Sequence, residues 1–284
     1  MRQKNKFEGI NSIMGAARRL RGRAAGLMLA AAVALGAGFA APAFAADALK
    51  IGSDCTYPPF IYKDASGEVK GFEVDISNEI ARRLNMQPER QCVTFDGLLP
   101  GLMAGKYDVV IAALDATPAR AKRVDFSIPY YRAPAAFVGP KSLANAPVEN
   151  GRLAPSFMKG KTVGLLRASI YEKYLEAAYP DAKIARYDTM DDALIDLKAG
   201  RVDMTFTDMP KAESDFLDKP GNQDFAFIGP QVMDYAVLGE GSAAAVRKGN
   251  AALLAKINAA LKAMMADGTY EKINRQYWNF SVKP

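Results

Sequence analysis

Histidine is absent from all 284 residues. Without imidazole the chain lacks the commonest general base, every Ser-His or Cys-His nucleophile and the nitrogen half of the usual zinc sites. Cysteine is scarce as well: Cys55 and Cys92 are the whole complement and no CxxC spacing occurs, so thiolate metal sites are excluded too. No metal and no cofactor is expected. Beyond residue 45 no apolar run is long enough to span a bilayer. A basic excess is also missing once the charge is located. Seven of the 37 Lys and Arg and one of the 31 Asp and Glu fall in residues 1–45, leaving 30 of each sign in the body. A body with no surplus of cations has no footprint for a phosphate backbone, so nucleic acid is not an expected partner.

What is present begins with an export signature. Arg18, Arg19, Arg21 and Arg23 form a basic region, residues 24–40 an apolar one, and Ala43-Phe44-Ala45 a small-x-small cleavage site. A mature chain starting near Ala46 is expected, soluble in a periplasm, with no cysteine placed there for lipid attachment. In such an oxidising compartment Cys55, after the first expected strand, and Cys92, in the second, fall on neighbouring strands. A disulfide and two free thiols both remain open, because sequence does not set the Cα separation.

Residues 108–127, DVVIAALDATPARAKRVDFS, are the part the rest of the chain serves. An apolar run over 108–114 predicts a strand buried on both faces that stops at Asp115. Thr117-Pro118 then predicts an N-cap followed by proline in the first helical position, with Arg120 in the first turn. Free N–H groups, a helix start and a guanidinium converging at a strand end would hold a carboxylate or phosphate.

Before this stretch come an expected strand over 49–54, a rigid turn Tyr57-Pro58-Pro59-Phe60, a hairpin loop over 63–67, a helix over 73–85 with Ile76, Ile80 and Leu84 on one stripe, a strand over 91–95 and a short helix carrying Leu98, Leu99 and Leu102. After it, residues 128–139 read as an extended crossing and 141–153 as turn-rich. A second α/β unit follows: a strand over 162–166, a capping box of Ser169 and Glu172 opening a helix over 170–178, a strand over 184–187, a helix opened by Thr189 and Asp192 that stops at Gly200, and a strand over 202–207 ending in Asp208-Met209-Pro210. Residues 229–246 read as an extended return path, and 250–265 and 270–277 as amphipathic helices. Strands alternating with helices over short connections predict an α/β fold with parallel sheets. LMAGKYDV over 102–109 and LKAGRVDM over 197–204 repeat one pattern of helix end, glycine, basic residue and strand opened by aspartate, which favours two similar lobes.

Asp54, Asp115, Ser169 and Asp208 each stand at the expected C-terminal end of a strand, the edge where open α/β sheets bind ligands. Asp54, Ser169 and Asp208 could each also cap a local turn or helix, and Arg120 could be a surface residue. Their joint placement is what argues for a cleft between two lobes.

IGSDCTYPPF, GFEVDISNEIARRL, FDGLLPGLMAGKYD, TPARAKRVDFSIPYY, GKTVGLL, AGRVDMTFTD and DGTYEKINRQYW together resemble the periplasmic polar amino-acid-binding proteins of ABC importers, the group that includes histidine- and lysine/arginine/ornithine-binding proteins. The resemblance covers 48–281 in order and spacing. It implies a bilobal clamshell with two parallel-rich sheets flanked by helices and two hinge strands, closing on one amino acid and docking transiently, as a monomer, to a membrane permease. The expected division is a signal peptide over 1–45, a first lobe over 46–132 and 235–284, and a second over 135–232. On this resemblance Arg120 grips the α-carboxylate, helped by N–H groups near Asp115. Asp208 meets the α-ammonium, Asp54 a cationic side chain, and Tyr57 and Phe95 wall the side-chain slot. Leu166, Ser169, Ile170 and Tyr171 close over the ligand.

The departures bear on the ligand. Ala112 and Ala113 stand where small hydroxyl or glycine residues are usual, and Asp115 where serine or threonine is. A carboxylate at 115 repels a ligand carboxylate unless it points away, meets an amine or is neutralised by Arg167. Three carboxylates against one or two guanidiniums favour a cationic ligand, basic amino acid first, with an opine, polyamine or other cationic derivative as alternatives. A hydrolase or lyase using Asp54 with Asp208 is the remaining, disfavoured reading.

Overall fold

The computed structural model describes residues 47–284; the export signature lies outside the described residues. Two five-stranded mixed sheets organise the rest. The chain opens with β1 (Ala48–Ser53), then β2 (Thr56–Tyr57), β3 (Ile61–Lys63) and β4 (Val69–Lys70), the last three forming a small antiparallel sheet. Helix α1 (Phe72–Arg83) leads to β5 (Gln87–Cys92), α2 (Leu98–Met103), β6 (Val109–Val110), the single turn α3 (Pro118–Ala121) and β7 (Val124–Phe126). The chain crosses to β8 (Ala135–Pro140), the hairpin β9 (Val148–Glu149) and β10 (Arg152–Leu153), and α4 (Pro155–Met158). The second unit is β11 (Thr162–Leu166), α5 (Ile170–Ala178), β12 (Lys183–Tyr187), α6 (Met190–Lys198), β13 (Met204–Asp208), α7 (Met209–Ala212) and β14 (Phe225–Val232). The chain then returns through α8 (Tyr235–Leu238) to β15 (Ala245–Arg247), α9 (Ala251–Ala266) and α10 (Thr269–Asn274).

The sheets repeat one plan. The first runs β5-β1-β6-β15-β7 and the second β12-β11-β13-β8-β14. In each, three parallel strands are followed by an antiparallel one, and that strand, β15 or β8, is the first strand after the chain crosses between lobes. The two crossings are hydrogen-bonded to each other, Tyr130 N to Ser242 O at 2.9 Å and Ser242 N to Tyr131 O at 3.0 Å, which makes the hinge a pair of tied strands.

The repeated sequence pattern builds the same corner twice. Gly105 and Gly200 take φ of +75° and +70°, a left-handed turn that glycine enters without a Cβ penalty. The aspartates that follow then do equal work. Asp108 N donates to Lys50 O (2.8 Å) while Asp108 Oδ2 accepts from Lys50 N (3.1 Å); Asp203 N donates to Thr162 O (2.9 Å) while Asp203 Oδ2 accepts from Thr162 N (2.8 Å). Each carboxylate thus sets the register of its lobe's central strand pair.

Several expected boundaries are corrected. The strand expected over 108–114 is regular only at Val109–Val110; Ala113 then turns into the left-handed region at φ +49°, and pairing resumes as an isolated bridge from Asp115 to Ser242. The strand expected over 91–95 lies earlier, at Gln87–Cys92. It is an edge strand of largely exposed polar residues, so its sequence carries no apolar alternation, and Phe95 falls in a 3₁₀ turn. The strand expected over 202–207 begins at Met204 and includes Asp208. The return path over 229–246 is interrupted by α8. The capping box does not form: among the described residues Ser169 Oγ has no hydrogen-bond partner, Ser169 N donates to Leu166 O at 3.2 Å, and Glu172 accepts from Ala168 N at 3.3 Å on one oxygen and pairs with Arg186 at 2.8 Å on the other.

Phe72 is the centre of an aromatic core that ties α1 to α10 and the chain end. Tyr131, Tyr270 and Tyr277 meet it edge-on at 5.8–5.9 Å between centroids, and Trp278 at 5.0 Å. Cys55 and Cys92 form a disulfide with Cα atoms 5.5 Å apart, and Ser53 is paired in register with Cys92. The bridge closes a loop with a sequence separation of 37, for which chain entropy predicts a stabilisation of about 4 kcal/mol. Reduction is therefore expected to lower the unfolding free energy by about 2–4 kcal/mol, measured by urea unfolding with and without reductant; coincident curves would contradict it. Among the described residues no helix is long and apolar enough to cross a membrane.

Candidate functional site

A cavity lies where the C-terminal strand edges of the two sheets meet, closed down to about 20 Å³ of water-sized space. The structure brings together around it all twelve residues singled out from the sequence. Asp54, Tyr57, Phe95, Ala112, Ala113, Asp115 and Arg120 come from the first lobe, and Leu166, Ser169, Ile170, Tyr171 and Asp208 from the second.

Asp54 follows β1 directly and is 3% exposed. Its Oδ1 accepts from Thr56 Oγ1 at 2.7 Å and from Thr56 N at 3.2 Å. Its Oδ2 has no partner among the described residues. Burial raises the Asp54 carboxyl above its usual range against the pull of those Thr56 hydrogen bonds. A buried oxygen left unpaired is costly unless a ligand donor completes it, and the unpaired Ser169 Oγ on the opposite lobe presents the same condition.

Tyr57 joins the lobes. Its hydroxyl donates to Asp208 Oδ2 at 2.6 Å and shares a 2.7 Å hydrogen bond with Thr207 Oγ1. Burial raises the Asp208 carboxyl, opposed by the hydrogen bonds from Tyr57 and Tyr171.

Thr117 Oγ1 caps α3 by accepting from Arg120 N at 3.3 Å. That helix is a single turn, so the guanidinium, not a helix dipole, supplies the positive charge. Arg120 Nη1 donates to Asp115 O at 3.0 Å, Nη2 donates across the cleft to Ala168 O at 3.2 Å, and the guanidinium lies 5.5 Å from the Phe95 ring centroid. The N–H groups expected to assist it are partly committed elsewhere: Ala113 N donates to Glu73 Oε2 at 2.7 Å and Ala116 N to Gly241 O at 3.0 Å.

Asp115 lines the cavity, and its Oδ1 accepts from Ser242 Oγ on the return crossing at 3.3 Å. The residue keeps some exposed surface, yet protein closely surrounds the carboxyl. Burial first and the charge of Asp208 second push it up to about 8, against Arg120 and Ser242. Arg167 does not neutralise it: that side chain is 44% exposed and pairs with Asp188 at 3.0 Å, outside the cavity. The lining therefore carries three carboxylates and, among the described residues, one guanidinium.

Two supporting residues escaped the sequence reading. Glu73 is fully buried beneath the cavity, holding Ala113 through its N–H and accepting a short hydrogen bond from the Tyr130 hydroxyl on the hinge. Burial lifts its carboxyl to about 7 against those two hydrogen bonds. The sign was there to read, since Glu73 precedes Ile76 by three and Ile80 by seven residues and so shares their buried face. Lys211 is the second, a fully buried lysine three residues after Asp208.

Residues 49–280 match the sequence model of the bacterial extracellular solute-binding proteins, family 3. An L-arginine-binding protein of Pseudomonas aeruginosa is 37% identical over 245 residues, covering 85% of this chain and 92% of the relative. A lysine/arginine/ornithine-binding periplasmic protein of Escherichia coli is 34% identical, covering 90% and 97%. The solved structure of an ancestral arginine-binding protein bound to arginine superposes with a TM-score of 0.73 at 36% identity, covering 83% of this chain and 100% of that one.

Proposed function

The chain belongs to family 3 of the bacterial extracellular solute-binding proteins, and on that premise we propose that it captures a basic amino acid, L-arginine first, outside the cytoplasm and delivers it unchanged to the permease of an ABC importer. The observation that carries the ligand class is the charge of the lining: Asp54, Asp115 and Asp208 against Arg120. That acid-rich lining favours a ligand of net positive charge. Arginine offers an α-carboxylate for Arg120, an α-ammonium for Asp208 and a guanidinium whose donors match the unpaired Asp54 Oδ2. A polyamine would leave Arg120 facing a second cation. The relatives named for arginine and for lysine, arginine and ornithine support the same class. No chemical step is assigned.

Isothermal titration of L-arginine, L-lysine, L-histidine, L-glutamine, putrescine and octopine tests this reading. Arginine is expected to bind tightest, and a preference for glutamine or putrescine would sink it. Octopine reports on the adjoining groove, which shares Phe95, Arg120 and Ser169 with the cavity and is lined further by Arg123 and Lys173. Asp54→Asn is expected to weaken arginine about 10- to 100-fold, as loss of a charge-assisted hydrogen bond does. Glutamine binding should change little, and equal losses for both ligands would remove Asp54 from side-chain recognition.

A further inference from the structure

Lys211 is 0% exposed and belongs to no part of the cavity lining. Its Nζ is held by two carboxylates of the second lobe, Asp191 Oδ1 and Asp215 Oδ2, each at 2.6 Å. Asp191 opens α6, and Asp215 sits in a π-helical turn, Glu213–Leu217, one turn beyond Lys211. The ammonium is thereby fixed in direction, since two of its three donors are spoken for. It lies 5.3 Å from the centroid of the Tyr57 ring, within the range of a cation–π contact. Tyr57 belongs to the first lobe, and its hydroxyl is already taken by Thr207 and Asp208 of the second.

One first-lobe side chain is thus gripped at both ends by the second lobe, at the hydroxyl by the strand end of β13 and on the ring by the lysine of the next turn. A lysine that served only to join two carboxylates within its own lobe would have no need to face the other. We propose that Lys211 is a positioning residue for ligand capture: on closure the Tyr57 ring seats against its ammonium, which holds that wall of the cavity in place and slows ligand escape. It touches no ligand: it acts through Tyr57, and the pull of its charge on the Asp54 carboxyl is what remains when the Tyr57 ring is removed. The proposal rests on the binding reading above only for its probe.

The test follows the dissociation of radiolabelled L-arginine into excess unlabelled arginine, with association rates and the melting temperature of the unliganded protein measured alongside. K211M keeps the length of the side chain and removes the charge. It is expected to raise the dissociation rate about 3- to 30-fold, the span of a cation–π contact from exposed to desolvated, with the association rate unchanged, and K211R should recover most of the difference. Y57L should raise the rate too, and K211M added to Y57L should then cost little more, because the partner ring is already gone. A dissociation rate in K211M within twofold of wild type, or full additivity with Y57L, overturns the proposal. Should K211M fail to fold, Y57L is compared with Y57F, which keeps the ring; equal dissociation rates would overturn it. If the wild type binds no arginine, the ligand reading fails by itself, and the chase is run with whichever of L-lysine, L-histidine or putrescine most raises the wild-type melting temperature. If none does, the binding reading and the clamp fall together.

Discussion

Arg120→Ala lowers the affinity for L-arginine by at least about 100-fold, the scale of removing one partner from a buried, hydrogen-bonded charge pair. The size follows from the company Arg120 keeps. Its guanidinium is the positive group among three carboxylates in the lining, so a ligand carboxylate entering the variant meets repulsion with nothing opposing it. Part of the loss comes from closure as well, because Nη2 also reaches Ala168 O across the cleft. Arg120→Lys keeps the charge and gives up the two-pronged geometry, so it should recover a fraction of the affinity and no more. Calorimetry at one pH and one salt concentration decides it; undiminished affinity in the alanine variant would remove Arg120 from ligand recognition.

The second large effect is a dependence on pH. In the empty cavity burial and Asp208 push the Asp115 carboxyl from its ordinary 3.8 to about 8, so below that pH it holds a proton. A cationic group bound beside it favours the carboxylate, and binding expels the proton. Arginine affinity is therefore expected to rise with pH, by up to about tenfold per unit for one proton displaced, and to level off above about pH 8. Titration at pH 6, 7 and 8 in buffers of different ionisation enthalpy counts that proton. Asp115→Asn should flatten the profile, while equal affinity at pH 6 and pH 8 in the wild type would refute the linkage. Glu73, lifted to about 7, and Asp54 and Asp208, both raised by burial, face the same region, so any slope left in the Asp115→Asn protein belongs to these three, and Glu73→Gln and Asp54→Asn separate them.

The same groups set the stability of the unliganded protein, with a sign opposite to that of paired surface carboxylates. A carboxyl raised on folding contributes stability that is fully present below its unfolded value, here 3.8 for Asp115 and 4.5 for Glu73, and is lost as pH rises through about 7 and 8. The melting temperature of the empty protein should fall between pH 5 and pH 8, and a saturating ligand should reverse much of that fall.

How much of this was legible in the sequence depends on the kind of signal involved. Periodicity located α1 and α5 closely, because each has one buried face and a polar one, and β11 showed as a short apolar run buried on both faces. It misplaced β5, whose residues are mostly exposed and whose position is set by pairing with β1. The capping box of Ser169 and Glu172 satisfied the local rule and still did not form, since Ser169 N donates to Leu166 O and Glu172 accepts from Ala168 N instead, with Arg186 on its other oxygen. Neutralisation of Asp115 by Arg167 was one of three alternatives the sequence left open; the Arg167 side chain lies in the adjoining groove and pairs with Asp188.

By itself the sequence determined the architecture and pointed to a candidate site: two α/β lobes, strand ends bearing aspartates, and Arg120 in the helical turn that follows one of them. These rest on patterns that repeat within a few residues, strand to turn to helix. Only the tertiary structure decided that Asp115 lines the cavity where burial raises its carboxyl, that Glu73 fastens Ala113 from beneath, and that Lys211 reaches Tyr57 from the far lobe. Those outcomes depend on burial and on partners up to about 150 residues away in the chain, and the energy of a charge is set by what surrounds it, which no local pattern encodes.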